Sequence, residues 1–195
     1  MYKRIVYGGL LLFLFLVLLG FFNLKKAYKF LPGSTSGILT FPQFAGWIPY
    51  SPPTQQFTVD LPLVPQYAQQ TVQSPNSNGT QTYDMYVSQT HNQEIYLITL
   101  ITFSTEIANQ PLTLRSIVDE IFNKDHNNRL ISFSNTPFQN NTGVEFHFEA
   151  TSNQTQGIAF ILNQRVYLLA YISEKGNFRQ DNYQHFISSF KLNEL

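Results

Sequence analysis

Hydrophobic positions along this chain follow three patterns. The first is an unbroken run from Ile5 to Phe22 (IVYGGLLLFLFLVLLGFF), eighteen uncharged and almost wholly apolar residues. At about 1.5 Å of rise per residue it makes a helix roughly 27 Å long, enough to cross a hydrocarbon core. A helix satisfies its own backbone in lipid, so the run predicts one transmembrane helix. The second pattern has period two. Gln56 to Leu61 puts Phe57, Val59 and Leu61 on one face and stops at Pro62. Tyr67 to Val72 and Thr80 to Ser88 flank the turn-forming Ser74 to Gly79, and Asn78-Gly79 predicts a hairpin. Arg129 to Phe133 is a short strand before the turn at Asn135-Thr136-Pro137, and Gly143 to Ala150 alternates strictly. Gln156 to Leu162 and Arg165 to Ile172 form a hairpin about Asn163-Gln164. The third pattern is helical. Pro111 to His126 carries a stripe of Leu114, Ile117, Val118, Ile121 and Phe122, with Asn127-Asn128 closing it. Asn182 to Phe190 carries Tyr183, Phe186, Ile187 and Phe190 at i, i+3, i+4 and i+7.

Two strands break the alternation, and they decide the architecture. In Glu94 to Phe103, Ile95, Leu97 and Ile101 lie on one side and Tyr96, Ile98 and Leu100 on the other. In Arg165 to Ile172, Val166, Leu168, Ala170 and Ile172 oppose Tyr167, Leu169 and Tyr171. A strand apolar on both faces is covered on both faces. Two amphipathic helices are present to do so. The prediction is an α+β domain: an antiparallel sheet flanked by helices on both faces, preceded by one transmembrane helix. Residues 1–22 form the anchor, 23–46 a linker with turn chemistry at Pro32 to Gly37, and 47–195 the domain. There is no internal repeat.

The flanks of the apolar run bear on how it is used. Lys3 and Arg4 precede it as in a secretory leader, but Phe21 to Ala27 offers no small-x-small pair for cleavage. The expectation is an uncleaved signal-anchor that sits in the bilayer through residues 5–22. Lys25, Lys26 and Lys29 balance Lys3, Arg4 and the α-amine, so charge alone sets no orientation. Gly8 and Gly9 have no small partner four residues on, so the run presents no small-xxx-small dimer face.

The order of elements carries a resemblance. Trp47-Ile48-Pro49-Tyr50-Ser51 leads into Phe57-Thr58-Val59-Asp60-Leu61-Pro62, with Pro65 after it. The Leu114 to Asp119 helix follows, then Gly143-Val144-Glu145-Phe146, Arg165 to Leu169, and the closing Phe186 to Leu192. Together they resemble the PsbP-like family, named for an extrinsic subunit of photosystem II and including bacterial extracytoplasmic domains. The resemblance covers about Trp47 to Leu192. It implies an antiparallel sheet between helices and a binding or assembly role outside the cytoplasm, without catalysis. The chain departs from lipoprotein members in having no cysteine for a lipid. No functional residue of the photosystem subunit matches a position here.

Charge and composition narrow the function. Residues 1–29 carry five basic side chains and no acid; the remainder carries seven basic and twelve acidic ones. A mildly acidic domain argues against nucleic acid, and the basic flanks suit anionic headgroups. With no cysteine in the chain, thiolate chemistry and disulfide stapling are excluded. The sequons at Asn78, Asn140 and Asn153 are accounted for by chance among sixteen asparagines. The candidate chemistry is Glu145, His147 and Glu149, which alternate with Val144, Phe146, Phe148 and Ala150. A carboxylate–imidazole–carboxylate face could hold a metal or serve a hydrolase. The solvent face of a half-buried strand gives the same pattern and is the favoured reading. His91, His126 and His185 are dispersed, and His126 at a helix end is explained by the helix dipole. No nucleophile motif and no phosphate-cradling glycine loop is present. The expectation is a tethered extracytoplasmic accessory domain with a membrane or envelope protein as partner. It has no catalytic centre and no cofactor. A metal-dependent hydrolase using the Glu145 strand, or a structural subunit of an envelope assembly, is the alternative.

Overall fold

The computed structural model describes residues 46–73, 79–123 and 126–193. The apolar run and nearly all of the linker lie outside the described residues. Among the described residues, no helix is long and apolar enough to cross a membrane.

A seven-stranded antiparallel sheet dominates. Three strands, β3 (Gln66–Gln73), β4 (Thr80–Gln89) and β5 (Ile95–Phe103), run as a meander from one edge to the centre. Helix α1 (Gln110–Phe122) then carries the chain to the far edge. From there β6 (Arg129–Asn135), β7 (Gly143–Glu149), β8 (Asn153–Leu162) and β9 (Arg165–Glu174) meander back, so β9 lies beside β5. The two strands that read as apolar on both faces are therefore the adjacent central pair, in register from Ile95 with Ile172 to Thr102 with Arg165. Helix α2 (Gln180–Ser189) follows on the opposite face from α1.

Two cores sandwich the sheet. One holds Ile95, Leu97, Ile101, Val166, Leu168 and Ala170 beneath α1, whose Leu114 and Val118 are fully buried, with Ile117, Ile121 and Phe122 packed alongside. The other holds Tyr96, Ile98, Leu100, Tyr167, Leu169 and Tyr171 beneath Tyr183, Phe186 and Phe190. Each helical stripe faces the sheet as its spacing predicts. At the start of α1, Asn109 Oδ1 accepts from Leu112 N at 3.1 Å, and Pro111 occupies the first turn, where its missing N–H costs nothing.

Three expectations are corrected, and one strand takes a place that the sequence did not specify. The α1 helix ends at Phe122, with Asn123 donating back to Asp119 O, four residues before His126. His126 is an exposed turn residue, so a helix-end role for it falls away. The Phe57 strand does not join the main sheet. As β2 (Phe57–Leu61) it pairs with β1 (Ile48–Tyr50) and β10 (Lys191–Leu192) in a small sheet that shares the cover of the α2 face. The second layer is therefore helix plus sheet, and Phe57, Val59 and Leu61 bury their common face in it. Lastly, the polar face of β7 is half-buried rather than solvated.

Candidate functional site

The polar face of β7 lies on the α2 side of the sheet because Val144, Phe146 and Phe148 point into the α1 core. Glu145 Oε1 accepts from Tyr183 Oη of α2 at 3.0 Å and from Gln156 Nε2 of β8 at 3.1 Å. Glu149 Oε2 accepts from Lys175 Nζ at 2.8 Å and Arg129 Nη2 at 3.2 Å, and those donors hold its carboxyl below the usual range. His147 sits between them, its ring stacked on Phe178 with centroids 6.1 Å apart. Its Nε2 is buried with no hydrogen-bond partner among the described residues. The two carboxylates thus turn to different donors instead of converging on the imidazole. Among the described residues no group of three or more His, Asp or Glu side chains is placed to hold a metal ion.

Burial lowers the pKa of His147 from its ordinary 6.5, against the opposing pull of Glu149 and Glu145. The unfolded chain then takes up this proton at a higher pH than the folded one. Stability from this group is present above the ordinary histidine value and is lost as pH falls through it towards the folded value. Denaturant titrations at pH 7.5 and at lower pH should show a decline that is shallower in His147→Gln; identical pH dependence would remove the assignment.

A second cluster is one the sequence reading did not single out. The β4–β5 turn, Thr90 to Glu94, closes with Thr90 N donating to Glu94 O at 2.9 Å and with Gln93 at φ 64°. It leaves Glu94 only 7% exposed. Glu94 Oε1 accepts from Tyr171 Oη of β9 at 2.6 Å and Asn182 Nδ2 of α2 at 3.0 Å, and Oε2 accepts from Thr90 Oγ1 at 3.2 Å. So consecutive α2 residues, Asn182 and Tyr183, each bind one of the two carboxylates, and in each carboxylate Oε1 takes one tyrosine and one amide. Burial, together with the neighbouring carboxylate, raises the hydroxyl pKa of Tyr171 and Tyr183, keeping both as donors. One signal for Glu94 was available: a carboxylate opening a strand whose next seven residues, Ile95 to Ile101, are apolar but for Thr99 has to find donors.

Beside Glu94 a half-open cleft of about 540 Å³ lies between the His91 to Glu94 turn and the β9–α2 connection, Glu174 to Arg179. Gly176, at φ 93°, lets that connection fold back, with Asn177 N donating to Glu174 O at 3.0 Å. Phe178 lines the cleft and packs on Tyr171, centroids 4.9 Å apart. The other walls are amides, carboxylates, His91 and Arg179. Of the dispersed histidines, His91 lines this cleft. His185 lies on α2, stacked on Trp47 at 4.3 Å and 3.0 Å from Asp60 Oδ2. Ser189 nearby accepts from Asp60 N and donates to Phe186 O, so its hydroxyl is turned to backbone rather than towards that histidine.

No protein-family model and no curated protein matches this chain. In fold it is similar to the solution structure of cyanobacterial PsbP (CyanoP) from Synechocystis sp. PCC 6803, with 10% sequence identity and a TM-score of 0.49 over 83% of this chain and 99% of that one.

Proposed function

We propose that this protein is a membrane-tethered, extracytoplasmic accessory domain that acts by contact, binding a membrane or envelope protein or a small polar ligand without catalysis. The observation that carries the reading is the engagement of the carboxylates around the α2 underside. Glu94 and Glu145 each accept a tyrosine and an amide hydrogen bond, and Glu149 is held by two cations. A general acid or base has to exchange protons with a substrate it touches. These oxygens are engaged by the protein's own donors, and those of Glu94 and Glu145 fasten helix α2 to the sheet. The neighbouring cleft offers amides, Arg179 and the ring of Phe178, groups suited to recognising a polar surface. Tethering is supported by the Ile5 to Phe22 run, and extracytoplasmic placement by the PsbP-like order of motifs. A tether also raises the domain's effective concentration for a partner in the same membrane.

Three measurements test the proposal. A reporter active only outside the cytoplasm, fused after Leu195, should be active; a silent reporter on well-expressed protein rejects the placement. Full-length protein extracted in detergent should retain a partner that Asn92→Arg with Arg179→Glu releases while the melting temperature holds. Stoichiometric zinc or manganese lost in His147→Ala with the fold intact would instead support the hydrolase.

A further inference from the structure

The two edges of the main sheet are treated differently. At β6, the ladder to β7 is broken by a register shift between Leu130 and Ser132, and Arg129 at its start pairs with Glu149. Bulges and edge charges are devices that stop a sheet from growing. At the other edge β3 carries none of them. Its sequence, QYAQQTVQ, has no charge and no proline, and it pairs with β4 without a shift from Gln66–Val87 to Gln73–Thr80. Gln66, Tyr67, Gln69, Thr71 and Gln73 are exposed, and Val64, just before the strand, is 74% exposed. Eight residues of ladder are thus presented on a straight, uncharged edge, which is a template for another strand.

We propose that β3 pairs with β3 of a second copy, antiparallel about a twofold axis through Gln70 and perpendicular to the sheet. This goes beyond the cleft-binding function and does not depend on it. Side chains alternate across a sheet, so residues of like parity must face one another if both copies are to keep α1 on one side. The axis at Gln70 meets that demand. It sets Gln69 opposite Thr71, Ala68 opposite Val72 and Tyr67 opposite Gln73, so no charge meets a like charge and amide ladders can form. A strand from an unrelated partner would have to match this amide-rich edge, whereas a second copy matches it by identity. The same axis leaves both chains entering from one side, because Trp47 packs on His185 of α2 in each. That geometry suits two copies held in one membrane.

The chain has no cysteine, so one introduced thiol reports one position. In full-length protein in detergent, Gln70→Cys should give a disulfide-linked dimer on mild oxidation, since directly opposed residues lie within disulfide reach. Ile131→Cys, on the bulged edge, should not. Gln69→Lys with Thr71→Lys should weaken the dimer at least tenfold by light scattering while circular dichroism shows the chain still folded, because both positions are exposed and the hydrogen bonds they give up, to Asp84 and Thr82, lie at the surface. A monomeric native protein overturns the proposal. So does a dimer indifferent to the two lysines, equal cross-linking at Ile131, or a different protein's segment found paired with β3.

Discussion

Replacing Phe146 by alanine is expected to cost about 3 to 5 kcal/mol of folding stability. The ring is fully buried at the centre of β7, stacked on Phe148 with centroids 6.0 Å apart and facing the α1 core. A loss of that size is half or more of the stability of a domain at the low end of the usual range of about 5 to 15 kcal/mol. Changing Glu145, His147 and Glu149 together to glutamine should cost much less. The pairs at Glu149 have exposed cationic partners, and solvent screens such pairs so that they add little stability. Glutamine at 145 still offers Tyr183 and Gln156 an acceptor. Chemical denaturation of the three proteins checks this, and equal losses would mean the two faces of β7 have been assigned the wrong way round.

Gly157→Ala is expected to cost about 3 kcal/mol, the upper end for overpacking. Gly157 lies directly across from Phe146 in the β7–β8 ladder. A Cβ there would stand 2.5 Å from Leu169 O of β9 and 2.5 Å from Phe146 Cζ. The ring can turn aside, but the carbonyl belongs to a central strand and cannot move without breaking its ladder. The glycine therefore gives Phe146 a seat over bare backbone. The two changes should be less than additive, because removing the ring clears one of the two collisions. A double-mutant cycle measures the coupling. Strict additivity would show that the ring does not occupy the glycine's space.

How far the candidate site could be read from the chain depended on the range of each interaction. The alternation of Glu145, His147 and Glu149 put them on one face correctly, since period two is a property of the strand itself. Whether that face met water was beyond it. Phe178 and Tyr183, which cover it, come from the β9–α2 connection and from α2. The Glu94 cluster lay further out of reach. Its Tyr171 and Asn182 donors are 77 and 88 residues away along the chain. Tyr171 reads locally as one more apolar position of a buried strand, and its hydroxyl is invisible to a hydropathy pattern.

By itself the sequence determined which side chains leave water and on which side of their element. The two-faced strands at Ile95 and Val166, the α1 stripe and the α2 stripe are all consequences of local periodicity, and each is buried as its spacing requires. Tertiary structure alone decided what covers what. Phe57, Val59 and Leu61 demanded a partner surface but could not specify whether it was the main sheet or a second layer over it. The choice was made when Lys191 and Leu192 came back to pair with Thr58 and Phe57, more than a hundred residues on. It also decided that, among the described residues, no strand pairs with the outer edge of β3, whereas the ladder of β6 is interrupted by a bulge. Burial is dictated by residue type and period, which are local, whereas strand order and hydrogen-bond partners depend on where distant segments end up once the core has closed.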